Sequence, residues 1–261
     1  MAELTIAAAL ERLADQPLRN LVLLKHLMAY PDHVVAHGVD GPEGSATLVL
    51  LDARASAYDR VAYPEARHVA FVTSDHPRLT SDLLDVLPRD GGIVFKLASD
   101  ADRAVIGERF ALVRRTAFVS FTGRAQPRRD PAVQLGDAPP AEALSLFEAQ
   151  GHDPAWLLPL LRAGRAFACV LPGGGHGEVD AACFAFENFG SIWEIGGVVT
   201  VPERRGRGLA SRVVGTALAE LAARALAPRY QVEETNEASI RVARAVGLEP
   251  FLTLVHWAHR C

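Results

Sequence analysis

The chain has 261 residues, 49% of them hydrophobic, enough to bury one large core or two moderate ones. A net charge of −4 gives no basic excess for nucleic acid or an anionic membrane, and no apolar run is long enough to span a bilayer. Met1-Ala2-Glu3-Leu4 lacks the basic region of a secretion signal, and three unpatterned cysteines (Cys169, Cys183, Cys261) argue against a disulfide framework, so a cytoplasmic, metal-free protein is expected.

In chain order, the first half opens with a helical stretch over Ile6–Tyr30, where Leu10, Leu13, Leu21, Leu24 and Leu27 recur at helical spacing. Strand-like runs follow near Val34–His37 and Ala46–Leu51. Next come strand His68–Thr73, helix Pro77–Leu87, strand Ile93–Leu97, helix Asp100–Gly107 and a β run ending near Ser120. Arg124–Pro131 is polar and proline-rich, the natural linker between a domain over 1–123 and a second over 132–261. In the second half a strand is predicted over Val133–Leu135, with helices over Ala141–Gln150 and Pro154–Ala163. Arg165–Val170 and Ala181–Phe186 form a hairpin across Pro172-Gly173-Gly174-Gly175, which places Cys169 and Cys183 on core strands.

The segment Trp193–Ala210, WEIGGVVTVPERRGRGLA, carries the strongest signal. Strand-like alternation meets a proline and a basic, glycine-punctuated turn, and a helix follows with Leu209, Val213, Ala217 and Leu221 at helical spacing. The first N–H groups of a helix lack internal partners and the helix dipole favours negative charge, so a phosphate fits there. Gly206 and Gly208 let the backbone approach it, and Arg204, Arg205 and Arg207 add positive potential. The turn is neither a Walker A loop nor a dinucleotide fingerprint: no Gly-Lys-Ser/Thr follows, and position 211 is Ser. Adjacent Gly196 and Gly197 mark a bulge or a close approach within the strand. Further on, β-compatible Arg229–Glu233 precedes Asn236-Glu-Ala-Ser239-Ile240, a helical stretch and Gly247, with Asn236 a good helix N-cap and Gly247 a good stop.

Arg205-x-x-Gly208-x-Ala210, followed by Asn236, Ser239, Ile240 and Gly247, resembles the two ordered motifs of the GNAT acyltransferase superfamily. The string Glu194 with Thr200-Val201-Pro202-Glu203-Arg204-Arg205-Gly206-Arg207-Gly208 is most similar to the glycine N-acyltransferase-like branch. The resemblance runs from near Val133 to Cys261 and implies an α/β (α+β) GNAT fold, a mixed central sheet flanked by helices. The first half repeats the element order of the second, but Ser74-Asp75-His76-Pro77-Arg78-Leu79 stands where the glycine turn should be. A degenerate GNAT-like domain without coenzyme binding is therefore expected there, making the chain a tandem.

The resemblance implies acetyl-CoA as co-substrate and a small primary amine as acceptor, with a homodimer possible. Its pyrophosphate would be held by Arg205, Gly206, Arg207, Gly208, Leu209 and Ala210, with Asn236 and Ser239 close by. The pantetheine arm would lie between splayed strands, hydrogen-bonded by the backbone at Val199 and Val201. A primary amine is protonated at neutral pH, so a general base helps it attack a thioester, and Glu194 matches the catalytic Glu of that branch. The family's usual general acid is a Tyr seven residues after the motif Asn; here that residue is Ala243. Ser239, a water, or a Tyr or His from elsewhere (His256 and His259 are candidates) are the substitutes, or the thiolate leaves unassisted; Glu187 and His256 are the reserve bases. A non-catalytic, acyl-CoA-binding sensor or scaffold protein is the alternative reading.

Overall fold

The computed structural model describes residues 1–88, 91–123, 128–175 and 177–259. They form two compact units, Met1–Phe118 with Leu252–Cys261, and Val119–Phe251. In the first half, β1 (Ala2–Leu4), α1 (Ile6–Leu13) and α2 (Leu21–Ala29) lead into β2 (Val34–Gly41) and β3 (Gly44–Asp52). Then follow α3 (Ala57–Ala62), β4 (Ala66–Ser74), α4 (Pro77–Leu83), β5 (Gly92–Leu97), α5 (Asp100–Gly107) and β6 (Val113–Thr122). The second half has β7 (Gln134–Gly136), α6 (Ala141–Glu148), α7 (Pro154–Arg162), β8 (Ala166–Pro172), β9 (Val179–Phe189) and β10 (Ile192–Thr200). It ends with α8 (Leu209–Ala223), β11 (Ala227–Glu233), α9 (Glu237–Ala245) and β12 (Glu249–His259). Apart from α3, the two halves have the same order of strands and helices.

The helical stretch expected over Ile6–Tyr30 holds two helices. Pro17 cannot continue the ladder of α1, and Asn20 folds back to donate from Nδ2 to the Leu13 carbonyl at 3.0 Å. Helix α3 has only six residues, too short to show periodicity, and is started by Ser56, whose hydroxyl accepts from the Asp59 N–H at 3.2 Å.

Within the first unit the strand order is β1-β2-β3-β4-β5-β12, with β4 and β5 parallel and β12 antiparallel to β5. Within the second it is β6-β11-β10-β9-β8-β7. The unit boundary falls inside the last strand of each half: β6 changes unit between Phe118 and Val119, and β12 between Phe251 and Leu252. The compact units therefore do not coincide with the division at 1–123 and 132–261. Of the expected linker, 124–127 lies outside the described residues. Asp130 is pinned to α8, its backbone N–H donating to Thr216 Oγ1 at 3.0 Å and its carboxylate taking the Arg212 guanidinium at 2.5 and 3.2 Å.

In the second unit, alternation sorts strand residues to two faces. Cys169, Cys183, Trp193, Ile195 and Tyr230 pack with α8 and α9, around Val213, Ala217 and Leu221. Phe184, Phe186 and Val199 pack with α6 and α7, around Phe147, Leu157 and Leu161. Cys169 and Cys183 are cross-strand partners and both are buried, as expected of core residues; Cys261 lies outside the described residues.

Candidate active site

Strand β10 is where the second unit opens. It pairs with parallel β11 only from Ile192 to Ile195, and among the described residues the two strands are unpaired beyond that point. On its other side it pairs with antiparallel β9 up to Gly196, slips at Gly197 and Val198, and resumes at Val199. Gly197 sits at φ 60°, and a Cβ there would run into the rings of Phe184 and Phe147, so the bulge demands glycine on both conformational and steric grounds. From the α6–α7 loop, Gln150 Nε2 donates to the Val198 carbonyl at 3.3 Å, tying that loop to the bulge.

Past β10 the chain makes a 3-10 turn at Pro202–Arg204 and enters α8 through two left-handed residues, Gly206 at φ 75° and Gly208 at φ 73°. Nothing crowds either position, so glycine is required by the backbone angle, and any Cβ would stand in open space. Gly208 is the N-cap of a 15-residue helix that has neither a side-chain cap nor an acidic residue in its first turn. Its first amides are left for an external acceptor.

This turn is one end of an open groove of about 600 Å³. The groove is lined by Val199, Arg205, Gly206, Gly208, Leu209, Ala210, Asn236 and Ser239 from the expected set, and also by Gln150, Val198, Arg204, Arg241 and Val242. Arg205 is steadied by donating from Nε to the Thr200 carbonyl at 3.2 Å, and Arg204 by Asp180 at 3.3 Å. Three expected residues do not line the groove, Glu194 on β10 among them. Val201 already uses its backbone, the N–H donating to the Asp180 carbonyl and the carbonyl accepting from the Arg204 N–H, each at 3.0 Å. Arg207 is exposed on the turn and outside the lining. On the far wall Asn236 caps α9, Oδ1 accepting from the Ser239 N–H at 3.0 Å. The Ser239 hydroxyl meets the Tyr230 hydroxyl at 2.6 Å, and burial pushes that phenol up to about 12, so it stays protonated. Ala243, one turn further on, is wholly buried in the core.

Glu194 is not an isolated carboxylate on a strand end. It stands opposite Phe186 on β9 and Arg229 on β11, on the face covered by α6 and α7. Arg229 Nη1 reaches its Oε2 at 2.6 Å, Asn188 Nδ2 donates to the same oxygen at 2.5 Å, and Arg229 Nη2 donates to Ser120 Oγ at 3.2 Å. Ser120, Arg229 and Asn188 are all buried, so a polar row crosses β6, β11, β10 and β9 inside the unit. His152, in the α6–α7 loop, feels the Glu194 charge, and its ring stands edge-on to Phe184 at 5.0 Å.

The reserve groups lie elsewhere. Glu187 pairs in register with Trp193, facing away from Glu194, and is held by Arg165 at 2.7 Å. His256 belongs to the first unit, where Nδ1 and the Tyr63 hydroxyl are hydrogen-bonded at 2.7 Å; His259 packs on Phe110 in the same unit. Also in the first unit, the turn after β4 is filled by Asp75, whose carboxylate accepts from the Ser45 N–H at 2.9 Å and hydroxyl at 3.2 Å. In chain order this carboxylate-bearing turn between β4 and α4 stands where the second half has its glycine turn. Arg229, Asn188, His152 and Gln150 escape a reading of sequence alone, because only strand register and loop docking bring them to Glu194 and the bulge. Among the described residues no cluster of side chains has the make-up of a metal site.

Residues 135–248 match the acetyltransferase (GNAT) family. The whole chain is similar in fold to a GCN5-related N-acetyltransferase from Sphaerobacter thermophilus, at 14% identity and TM-score 0.59 over 91% of this chain and 84% of that one. It is similar to a GNAT-family acetyltransferase from Colwellia psychrerythraea, at 14% identity and TM-score 0.59, over 96% and 97%. A tandem GNAT protein of the clavulanic acid biosynthesis pathway matches at 16% identity and TM-score 0.57, over 97% and 94%, so a two-domain fold of this kind extends along the chain. No curated protein matches it in sequence.

Proposed function

We propose that the second unit is an acyl-CoA-dependent N-acyltransferase, using acetyl-CoA and acylating a small primary amine by direct attack in a ternary complex. The observation that carries this reading is the continuity of the groove. It runs from the left-handed glycine turn, with its unfilled helix amides and the guanidinium groups of Arg204 and Arg205, to the bulge where β10 leaves β11. A pyrophosphate suits the first end, and an extended arm suits the gap between strands. Of the backbone groups first assigned to that arm, Val199 stays and Val201 drops out. Arg207 is left as a contributor to positive potential and not a direct ligand.

Glu194 is proposed as the catalytic carboxylate, drawing the acceptor ammonium to the opening and promoting its deprotonation. The oxyanion formed on attack would be stabilised by a backbone N–H of the bulged strand. Ser239, backed by the protonated Tyr230, is the group suited to meet the leaving thiolate in the absence of a Tyr at position 243. The second reading, an acyl-CoA-binding protein without turnover, is favoured by buried Ala243. Thiol release from acetyl-CoA over a panel of small amines separates the two. Amine-dependent release that falls on the order of 10²-fold in Glu194→Gln supports catalysis. Binding of acetyl-CoA with no release over any amine supports the sensor.

A further inference from the structure

Within the N-acyltransferase reading, on which this rests, we infer that the imidazole of His152 receives the proton of the acceptor amine, with Glu194 as its electrostatic partner. The Glu194 carboxylate is already engaged by the Arg229 guanidinium and by Asn188. Both of these donors are on Oε2, so the carboxylate is already a partner in an ion pair, and a general base beside it can take the proton itself.

His152 is placed to be that base. Its backbone N–H donates to the Phe147 carbonyl at 3.0 Å, and the next residue, Asp153, starts α7 by accepting from the Ala155 N–H at 2.7 Å, so the loop is fixed on both sides of the ring. The imidazole lies on Phe184, which is the register partner of Gly196 beside the bulge. Trp156 stacks edge-on against Phe186, the register partner of Glu194, at 5.0 Å. The ring thus lies on the aromatic layer of β9 that is in register with Gly196 and Glu194. The charged group acting on it is Glu194 from β10, with Arg229 of β11 behind that carboxylate. Phe184 of β9 and Trp156 of α7 bring no charge, and the Asp153 carboxylate is turned to its own helix. Burial depresses the imidazole below its ordinary 6.5 while Glu194 raises it, and burial prevails. At neutral pH the ring carries a free lone pair.

The ammonium gives one proton to that lone pair, leaving a neutral amine and an imidazolium beside Glu194. The amine nitrogen forms the C–N bond at the thioester carbonyl. The C–S bond breaks with its electron pair on sulfur, and the second nitrogen proton passes to the thiolate. Amide, thiol and imidazolium result, and the imidazolium returns its proton to water.

The test combines NMR titration of the His152 ring, the pH profile of kcat/KM with an accepted amine, and acetyl-CoA calorimetry, on wild type, His152→Gln and Glu194→Gln. The wild-type acid limb is expected below pH 6.5 and coincident with the ring titration. His152→Gln should lose that limb and slow kcat on the order of 10²-fold, with acetyl-CoA affinity unchanged. In Glu194→Gln the ring should titrate at lower pH, since the charge that raises it is gone. A wild-type rate and limb in His152→Gln, or a ring titration indifferent to Glu194→Gln, overturns the assignment while leaving acyl transfer intact. Failure of the wild type to bind acetyl-CoA would instead sink the acyltransferase reading, and the NMR comparison would still decide the Glu194–His152 coupling.

Discussion

A carboxylate that looks like a lone strand-end residue in sequence is the centre of a buried row. Glu194 is legible because a strand begins there and a family motif follows; Arg229 is not, although it lies only two strand positions into Ala227–Glu233. Its role depends on the parallel register that sets it beside Glu194. With side chains 3% and 14% exposed, Arg229 and Glu194 form a pair whose rupture strands a charge. Arg229→Met is therefore expected to lower unfolding free energy by about 3 kcal/mol or more in urea titration, while an exposed change such as Arg241→Met should fall within about 0.5 kcal/mol. Equal effects of the two would show that the buried row contributes nothing. The same register explains why Glu187, seven residues upstream in sequence, cannot replace Glu194: it points to the opposite face.

At the scale of elements, strand β10 with its following turn was the most legible part of the chain. Two adjacent glycines announce the bulge, and glycines flanking Arg207 announce the left-handed entry to α8. What local pattern hides is where strands part. The separation of β10 from β11 after Ile195 depends on the bulge and on Gln150 reaching Val198, and the α6–α7 loop has no periodic signal. Gly197→Ala adds a methyl against Phe184 and Phe147 at a left-handed position, so the bulge must flatten or the rings must move. The expected result is a loss of about 1–3 kcal/mol in stability together with weaker acetyl-CoA binding. Gly196→Ala, at the neighbouring position without positive φ, meets Phe184 at 3.3 Å and should be milder on both measures. Identical stability of the two variants would contradict the bulge as a demanded conformation.

Across the whole molecule, the twofold plan is readable in the alternation of strands and helices, and the loss of the glycine turn in the first half is readable at Ser74–Leu79. The change of unit within β6 and β12 is not. The first unit has a buried polar cluster of its own. Lys96 meets Asp59 at 2.7 Å, and burial, aided by the Lys96 charge, pushes His256 down to about 3 and His26 to about 4 from an ordinary 6.5. Both imidazoles are neutral in the folded chain and protonated once unfolded in the window from pH 6.5 down to about 3–4. The unfolded state binds more protons there, so stability is full above pH 6.5 and falls as pH drops. Each histidine adds a slope of up to about 1.4 kcal/mol per pH unit. Urea melts between pH 4 and 7 should therefore give a shallower acid loss in His256→Gln than in wild type, and parallel curves would contradict a neutral buried His256.

The central claim is that the second unit holds an acyl-CoA by the glycine turn that opens α8. Calorimetric titration of acetyl-CoA into wild type and Gly208→Val, with thermal melts to check folding, tests it most directly. A valine is strained at φ 73° and places its side chain where the phosphates would lie. The predicted result is one site per chain in wild type and at least tenfold weaker binding in Gly208→Val, about 1.4 kcal/mol, with the fold retained. Equal affinity in the two proteins, or no binding to wild type, would contradict it.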